Sequence, residues 1–383
     1  MSPALPGPAD RIARGVANRV AGARAELRVR RQRLHDYTPV PVLSTPRTEV
    51  RAASVPAVDA HNHLGRWLTG GRAWMAPDVG ALLAAMDELG VAAMVNLDGR
   101  WDAELEANLD RYDRAHPGRF ATFCHVDWSL LTGPRGPERM VEQLRRSADA
   151  GARGVKVWKD LGLHVRDAAG DLVAPDDPRL HDVWETAAGL GLPVLVHVAD
   201  PVAFWRPVDR CNERFEELTR HPDWHHGSRP VPGHGALLDS FEALVAAHRG
   251  TTFVGAHVAS SAEDLGRAGA MLDRHPNLVV DLSAREAELG RQPRATAAFL
   301  ARHSERVLWG TDSFPLDPQQ FRTWFRLLET ADEHFPYGSG PVPEQGRWNV
   351  YGVDLDEPVL RAVYAGNARR VVPGLSPSPE GTS

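Results

Sequence analysis

The sequence predicts an α/β fold in which eight strands alternate with helices and close into a (β/α)8 barrel. Three observations carry that expectation. From about residue 55 onward, apolar residues at three- and four-residue spacing give way repeatedly to short β-rich runs. Glycine or proline marks the junctions between them. Polar residues able to do chemistry close several of the runs, and a parallel barrel gathers those strand ends at one mouth.

Taken in order, the first strand is Val55–Ala60. Helix 78–89 then leads to strand Val91–Leu97, helix 102–116 to Phe120–Val126, and helix 137–150 to Gly154–Trp158. The second half repeats the pattern: helix 178–190 and Pro193–Val198, helix 239–249 and Thr252–Ala256, helix 262–274 and Leu278–Leu282, helix 294–303 and Val307–Trp309, with helix 318–330 after the last strand. Eight crossover units fit a closed barrel better than an open doubly wound sheet. Two long insertions, 199–236 after strand five and 331–355 near the C-terminus, break the rhythm. Loops that follow barrel strands lie on the face where active sites form, so the first insertion reads as a lid or pocket wall.

The expected domains are an N-terminal arm and linker over 1–54, the barrel over 55–372, and a disordered tail over 373–383. The 383 residues are 43% hydrophobic and 25% charged, an ordinary globular balance. The formal charge of −6 points to no nucleic-acid partner. Cys124 and Cys211 form neither a metal-type C-x-x-C spacing nor a disulfide framework, which makes a reducing cytoplasm the default location. No apolar run approaches the roughly 20 residues of a membrane span. The arm places Arg11, Arg14, Arg19, Arg24, Arg28, Arg30, Arg31 and Arg33 among alanine, valine and leucine, the pattern of a basic helix. Packing of this arm and of the insertions is the reason to expect a homodimer; its alanine-rich apolar face buries too little for lipid anchoring.

The chemistry begins at Val58-Asp59-Ala60-His61-Asn62-His63. Alternate strand residues share a face, so His61 and His63 can point together at one metal ion. His197 closes the run 192–196, His257 closes 253–256, and Asp312 follows Val307-Leu308-Trp309-Gly310-Thr311. Singly, each has a plain structural reading: a satisfied histidine at a strand end, or for Asp312 the N-cap of the next helix. Together they describe neutral imidazoles and a carboxylate around a divalent ion, zinc first, with manganese or iron as alternatives.

The series Asp59-x-His61-x-His63, a lysine on strand four, His197, His257 and Gly310-Thr311-Asp312 resembles the amidohydrolase superfamily of metal-dependent TIM barrels. It looks most like the amidohydrolase-related branch that includes aminocarboxymuconate-semialdehyde and resorcylate-type decarboxylases. The resemblance spans about residues 55–372 and includes the ending Asn367-Ala368-Arg369-Arg370. It implies that His61, His63, His197 and Asp312 hold one metal and that His257 carries the catalytic proton, with Asp312 sharing that work. In binuclear members a carboxylated strand-four lysine bridges two ions, so Lys156 leaves that arrangement open as the alternative. Asp59 would orient the strand-one pair from behind.

Substrate contacts are expected from Arg285, which would grip a carboxylate, and from Trp67, Trp158, Trp205 and His164 as pocket walls. For Arg285, with Glu288 and Arg291 beside it, a surface ion pair is the competing reading. The leading expectation is hydrolysis of a C–N or C–O bond in a small molecule, one that can bear a carboxylate. Nonoxidative decarboxylation at the same site is the alternative, and a non-catalytic metal-binding barrel the third.

Overall fold

A computed structural model describes residues 8–314, 316–338, 340 and 342–375. The expected tail beyond residue 375 and the first seven residues of the arm lie outside them. The chain divides into two compact units, Met1–Ser44 and Thr45–Ser383. The first is built on the helix Pro8–Arg31, in agreement with the basic helical pattern. Val16, Val20, Leu27 and Val29 on this helix are exposed, and Arg30 pairs with Glu26 one turn earlier at 2.8 Å.

The second unit is an α/β barrel. Among the described residues its strands are β1 (Ala57–Asn62), β2 (Val91–Asn96), β3 (Phe120–Thr122), β4 (Val155–Val157), β5 (Val194–Val196), β6 (Phe253–Gly255), β7 (Leu278–Asp281) and β8 (Val307–Leu308), each parallel to its neighbours. They run as two arcs, β1-β2-β3 and β4-β5-β6-β7-β8. Backbone bonds cross both seams. Cys124 N–H donates to the Gly154 carbonyl at 2.9 Å and Lys156 N–H to that of Cys124 at 2.7 Å. At the other edge, Ala60 N–H donates to the Trp309 carbonyl at 3.0 Å and Asp312 N–H to that of His61 at 2.8 Å.

Burial explains why these strands read as unbroken apolar runs. A parallel strand in a barrel is covered on both faces, by helices outside and by side chains from other strands inside. Val155, Val194, Val196 and Phe253 pack outward in the main core, while Val58, Ala60, Ala93, Val95, Leu195, Val254 and Val279 form a second cluster inside. Lys156 stands opposite Leu195, which stands opposite Val254 and then Val279, so the strand-four lysine belongs to the interior row. In β1 the register shifts between Asp59 and Asn62. Such a shift re-aims the strand end, and His61 follows Ala60 toward the interior.

The strands are shorter than the apolar runs because only their central residues ladder. Residues 123–126 and 197–198 already belong to the mouth loops. Helices differ mainly at their ends. The one expected over 102–116 is Asp102–Leu109 followed by a wider π turn, Asp110–Arg114; the one expected from 239 starts at His234; and the one expected from 262 starts at Leu265, capped by Asp264. The insertions hold local order: the first contains a helix, Phe215–Arg220, and the second an antiparallel bridge between Phe335 and Val350. Buried Arg214 pairs with Glu217 at 2.9 Å within the first insertion and ties that insertion to Glu288 beyond β7.

Candidate metal centre and active site

The end of β1 is held by carboxylates. His61 Nδ1 lies 2.9 Å from Asp281 Oδ2 at the end of β7, and His63 Nδ1 lies 2.7 Å from Asp98 Oδ1 just beyond β2. A carboxylate takes the proton of the nitrogen it faces, so each ring turns an Nε2 lone pair to the barrel mouth. Those nitrogens meet Asp312 Oδ1 at 3.8 Å and 3.4 Å. Donor atoms of His61, His63 and Asp312 all lie within 4.8 Å of one another.

Asp312 is not the cap of the following helix; Asp317 has that task, accepting from Gln319 N–H. Its backbone takes φ +58°, in the left-handed region that favours glycine, and its Oδ1 is buried without a hydrogen-bond partner. Strain and an orphaned oxygen at one residue mark a position kept for function rather than for packing. Asp59 supports it from behind. It accepts from Thr311 N–H at 2.9 Å, Thr311 Oγ1 at 2.6 Å, Asn62 Nδ2 at 2.9 Å and His61 N–H at 3.2 Å, linking β1 to the loop after β8. Burial pushes its carboxyl up to about 6 even against those bonds.

The two histidines of the second pair are hydrogen-bonded to each other. His257 Nδ1 lies 2.8 Å from the Ser283 carbonyl, which fixes the proton on that nitrogen; its Nε2 then faces His197 Nδ1 at 3.3 Å. This leaves His197 Nε2 as the lone-pair atom, buried and unpartnered. His197 does not join the close His61–His63–Asp312 group. Residues 257–260 take φ +58°, +60°, +51° and +54°, a left-handed turn that the β-branched Val258 adopts only under constraint. His257 N–H bound to Asp281 at 3.0 Å and Ser260 Oγ bound to Ala199 N–H at 3.2 Å supply that constraint.

Burial holds His61, His197 and His257 well below the ordinary imidazole range, helped by Lys156 at His61, by His257 at His197 and by Arg285 at His257. Neutral imidazoles are the form that binds metal. Lys156 Nζ approaches His61 Nε2 to 3.3 Å, and burial brings its ammonium down to about 8. Arg285 is 6% exposed, donates to the Ala284 carbonyl, and among the described residues makes no ion pair. Its neighbours are paired elsewhere: Glu288 with Arg214, and Arg291 with Glu213 at 2.8 Å.

Trp158 lies 5.3 Å from the His63 ring and Trp67 4.4 Å from Trp158, both lining a cavity that reaches Lys156. Trp205 and His164 line no part of it. Trp205 packs on His226 and donates to the Pro232 carbonyl, and His164 is exposed. Asp98, Asp281 and Ser283 were not singled out from the sequence. Asp98 directly follows the run 91–97 and Asp281 ends β7, so the strand-end signal that marks the candidate ligands marks the carboxylates behind them too. A further group, His181, Glu185 and His248, sits away from the mouth with two of its members exposed.

The sequence pattern of the amidohydrolase family matches residues 58–374. The chain belongs to the amidohydrolase family. No curated protein matches it closely enough to add a relative. Among solved structures, this amidohydrolase resembles 2,6-dihydroxybenzoate decarboxylase from Rhizobium, at 15% identity and a TM-score of 0.54, over 83% of this chain and 98% of that one. It also resembles a dihydroxybenzoic acid decarboxylase from Polaromonas with bound manganese and the inhibitor 2-nitroresorcinol, at 13% identity and a TM-score of 0.52, over 83% and 96%. A TIM-barrel protein from Bordetella bronchiseptica matches at 14% identity and a TM-score of 0.50, over 83% and 98%. At such identities the likeness establishes the shared fold.

Proposed function

We propose that this amidohydrolase is a metal-dependent, nonoxidative decarboxylase of a small carboxylic acid. The observation that carries the choice of lyase over hydrolase is Arg285: a buried guanidinium beside the metal centre, without an ion-pair partner among the described residues. Burying a charge unpaired is costly, and a substrate carboxylate would complete it through two parallel hydrogen bonds.

The donor set fits one divalent ion. His61, His63 and Asp312 would hold it, with the unpartnered Nε2 of His197 as a further donor, and the orphaned Asp312 oxygen is the sign of a missing positive partner. The nitrogen-rich set suits zinc, and the manganese in the Polaromonas relative supports that ion as the first alternative. When bound, the ion supplies a Lewis-acid charge on the substrate's carboxylate or adjacent hydroxyl. A binuclear site would require carboxylation of Lys156, whose amine instead approaches His61 directly.

The protein's own groups divide the remaining work. Arg285 orients the carboxylate, and the Trp67 and Trp158 rings supply an apolar wall beside His63. His257 can exchange a proton only through Nε2, since the proton on Nδ1 is committed to the Ser283 carbonyl. As the bond from the substrate carbon to its carboxylate breaks, carbon dioxide leaves and the electron pair stays on that carbon, where it takes a proton that Nε2 has first gained from the substrate acid or from solvent. Hydrolysis of a C–N or C–O bond is the second reading, favoured by Asp312 Oδ1, an unpartnered base placed to take a proton from water.

Loading the protein with zinc or manganese and assaying a panel of hydroxybenzoic and unsaturated carboxylic acids, alongside amides, esters and lactones, separates these readings. One acid is expected to release carbon dioxide mole for mole, and Arg285→Gln to lower its kcat/KM by roughly 100-fold, about 3 kcal/mol. Turnover of an amide, ester or lactone with no carbon dioxide from any acid contradicts the lyase.

A further inference from the structure

The cluster of His181, Glu185 and His248 takes no part in the chemistry of the mouth. It lies at the other end of the barrel. His248 follows the helix His234–Ala247 and comes before β6, whose far end leads to His257, so it stands where the strands begin rather than where they finish. His181 and Glu185 are one turn apart on the helix His181–Gly189 and share a face. Donor atoms of the three residues lie within 4.8 Å of one another.

A structural hydrogen bond accounts for two members and leaves out the third. His248 Nδ1 lies 2.7 Å from Glu185 Oε1, with the imidazole 7% and the carboxylate 46% exposed. The His181 ring sits 4.9 Å from that of His248, tilted by 46° rather than stacked, and its nitrogens make no hydrogen bond among the described residues. The backbone on both sides is fixed independently of these three side chains. The Asn277 amide donates to the carbonyls of Val245, His248 and Thr251, each at 3.1 Å. Thr251 Oγ1 donates to the Trp184 carbonyl at 3.0 Å, which joins the segment ahead of β6 to the helix carrying His181 and Glu185. Buried Val183, Trp184 and Ala187 seat that helix on the core. Two imidazoles and a carboxylate thus converge on backbone already held in place, the requirement for a preorganised site. The surroundings favour a cation: a groove of about 510 Å³ beside Glu185 is lined by Glu138, Glu142, Asp182 and Glu185, with Arg145 as its only positive charge.

We propose that His181, Glu185 and His248 form a second, exchangeable zinc site that staples the helix His181–Gly189 to the segment ahead of β6. Zinc bonds of about 2.1 Å place tetrahedral donors roughly 3.4 Å apart, a spacing that the exposed His181 ring and Glu185 carboxylate reach by small rotations. Two nitrogen donors select a borderline ion over magnesium or calcium. Water completes the coordination on the open side, so the ion is given up during gel filtration and the site is read by titration. It depends on neither the mouth ion nor Arg285, and it acts on stability rather than on turnover.

The test is zinc titration of the gel-filtered full chain against a fluorescent chelator, repeated with His181→Ala and Glu185→Gln. The wild type is expected to take up one zinc per chain that both variants bind more weakly by roughly 10-fold or more, with circular dichroism showing all three folded. Glu138→Gln, which removes a groove carboxylate outside the cluster, should bind as the wild type does. Zinc should also raise the melting temperature of Asp312→Ala and fail to raise that of Asp312→Ala/His181→Ala, since only the first keeps the outer site. Equal zinc uptake by wild type and His181→Ala, including none by either, overturns the proposal. So does a loss in Glu138→Gln as large as in Glu185→Gln, or magnesium bound as tightly as zinc.

Discussion

At the scale of residues, the site depends on atoms one step removed from any metal. Asp98 and Asp281 set which nitrogen of His63 and His61 carries the proton, and so decide that both Nε2 lone pairs face Asp312. Replacing either carboxylate with an amide preserves volume but allows the ring to turn over. Asp98→Asn and Asp281→Asn are therefore expected to weaken divalent-ion binding by roughly 10- to 100-fold with the fold retained, as read by competition with a chelator. Affinity equal to wild type in both variants would show that the anchors do not position the rings. The candidate ligand positions were legible from the sequence because polar residues closing apolar runs stand out. Their anchors were not, because an aspartate that follows a strand gives the same signal whether it binds metal, caps a helix or holds a histidine.

At the scale of elements, the sequence marked where strands and helices occur more faithfully than where they stop. Apolar periodicity persists past the last ladder bond, since residues entering the mouth are as buried as those in the strand; Phe123 and Val198, both outside the strands, are 1% exposed. The left-handed turn 257–260 was illegible for a different reason. It is imposed by bonds to Asp281 and Ala199 that are distant in sequence, against the local preference of Val258. A helix contact supplies a pH prediction. Glu286 is buried at the start of the helix Glu286–Gly290 and accepts from Gln320 Nε2, on the helix Pro318–Glu329, at 2.8 Å. Burial raises its carboxyl from 4.5 to about 7. A raised carboxyl pKa favours the folded, protonated form, so its contribution is full below pH 4.5 and is lost as the pH rises through 7. Glu286→Gln should remove that decline, leaving the variant more stable than wild type at pH 8 by on the order of 3 kcal/mol in denaturant titrations. Parallel pH profiles for the two proteins would place the charge in a better-solvated setting.

At the scale of the whole molecule, a barrel is what lets residues from 61 to 312 act as one site. Each strand carries its last residues to the same mouth, and bonds across the β8–β1 seam bring Asp312 back to His61. That convergence follows from topology, so it could be inferred before any contact was known. Distances within the cluster could not: the pairing of His197 with His257, rather than with His61 and His63, depends on side-chain orientation that spacing does not encode. Among the described residues no helix is long and apolar enough to cross a membrane.

His61, His63 and Asp312 are expected to hold one divalent ion at the barrel mouth. Plasma mass spectrometry of the purified full chain and of Asp312→Ala, with circular dichroism to confirm folding, tests it most directly. One ion per chain is expected in the wild type and a loss of most of it in the variant, together with loss of turnover. A folded wild type without a stoichiometric ion, or a variant that keeps a full equivalent, would contradict the account.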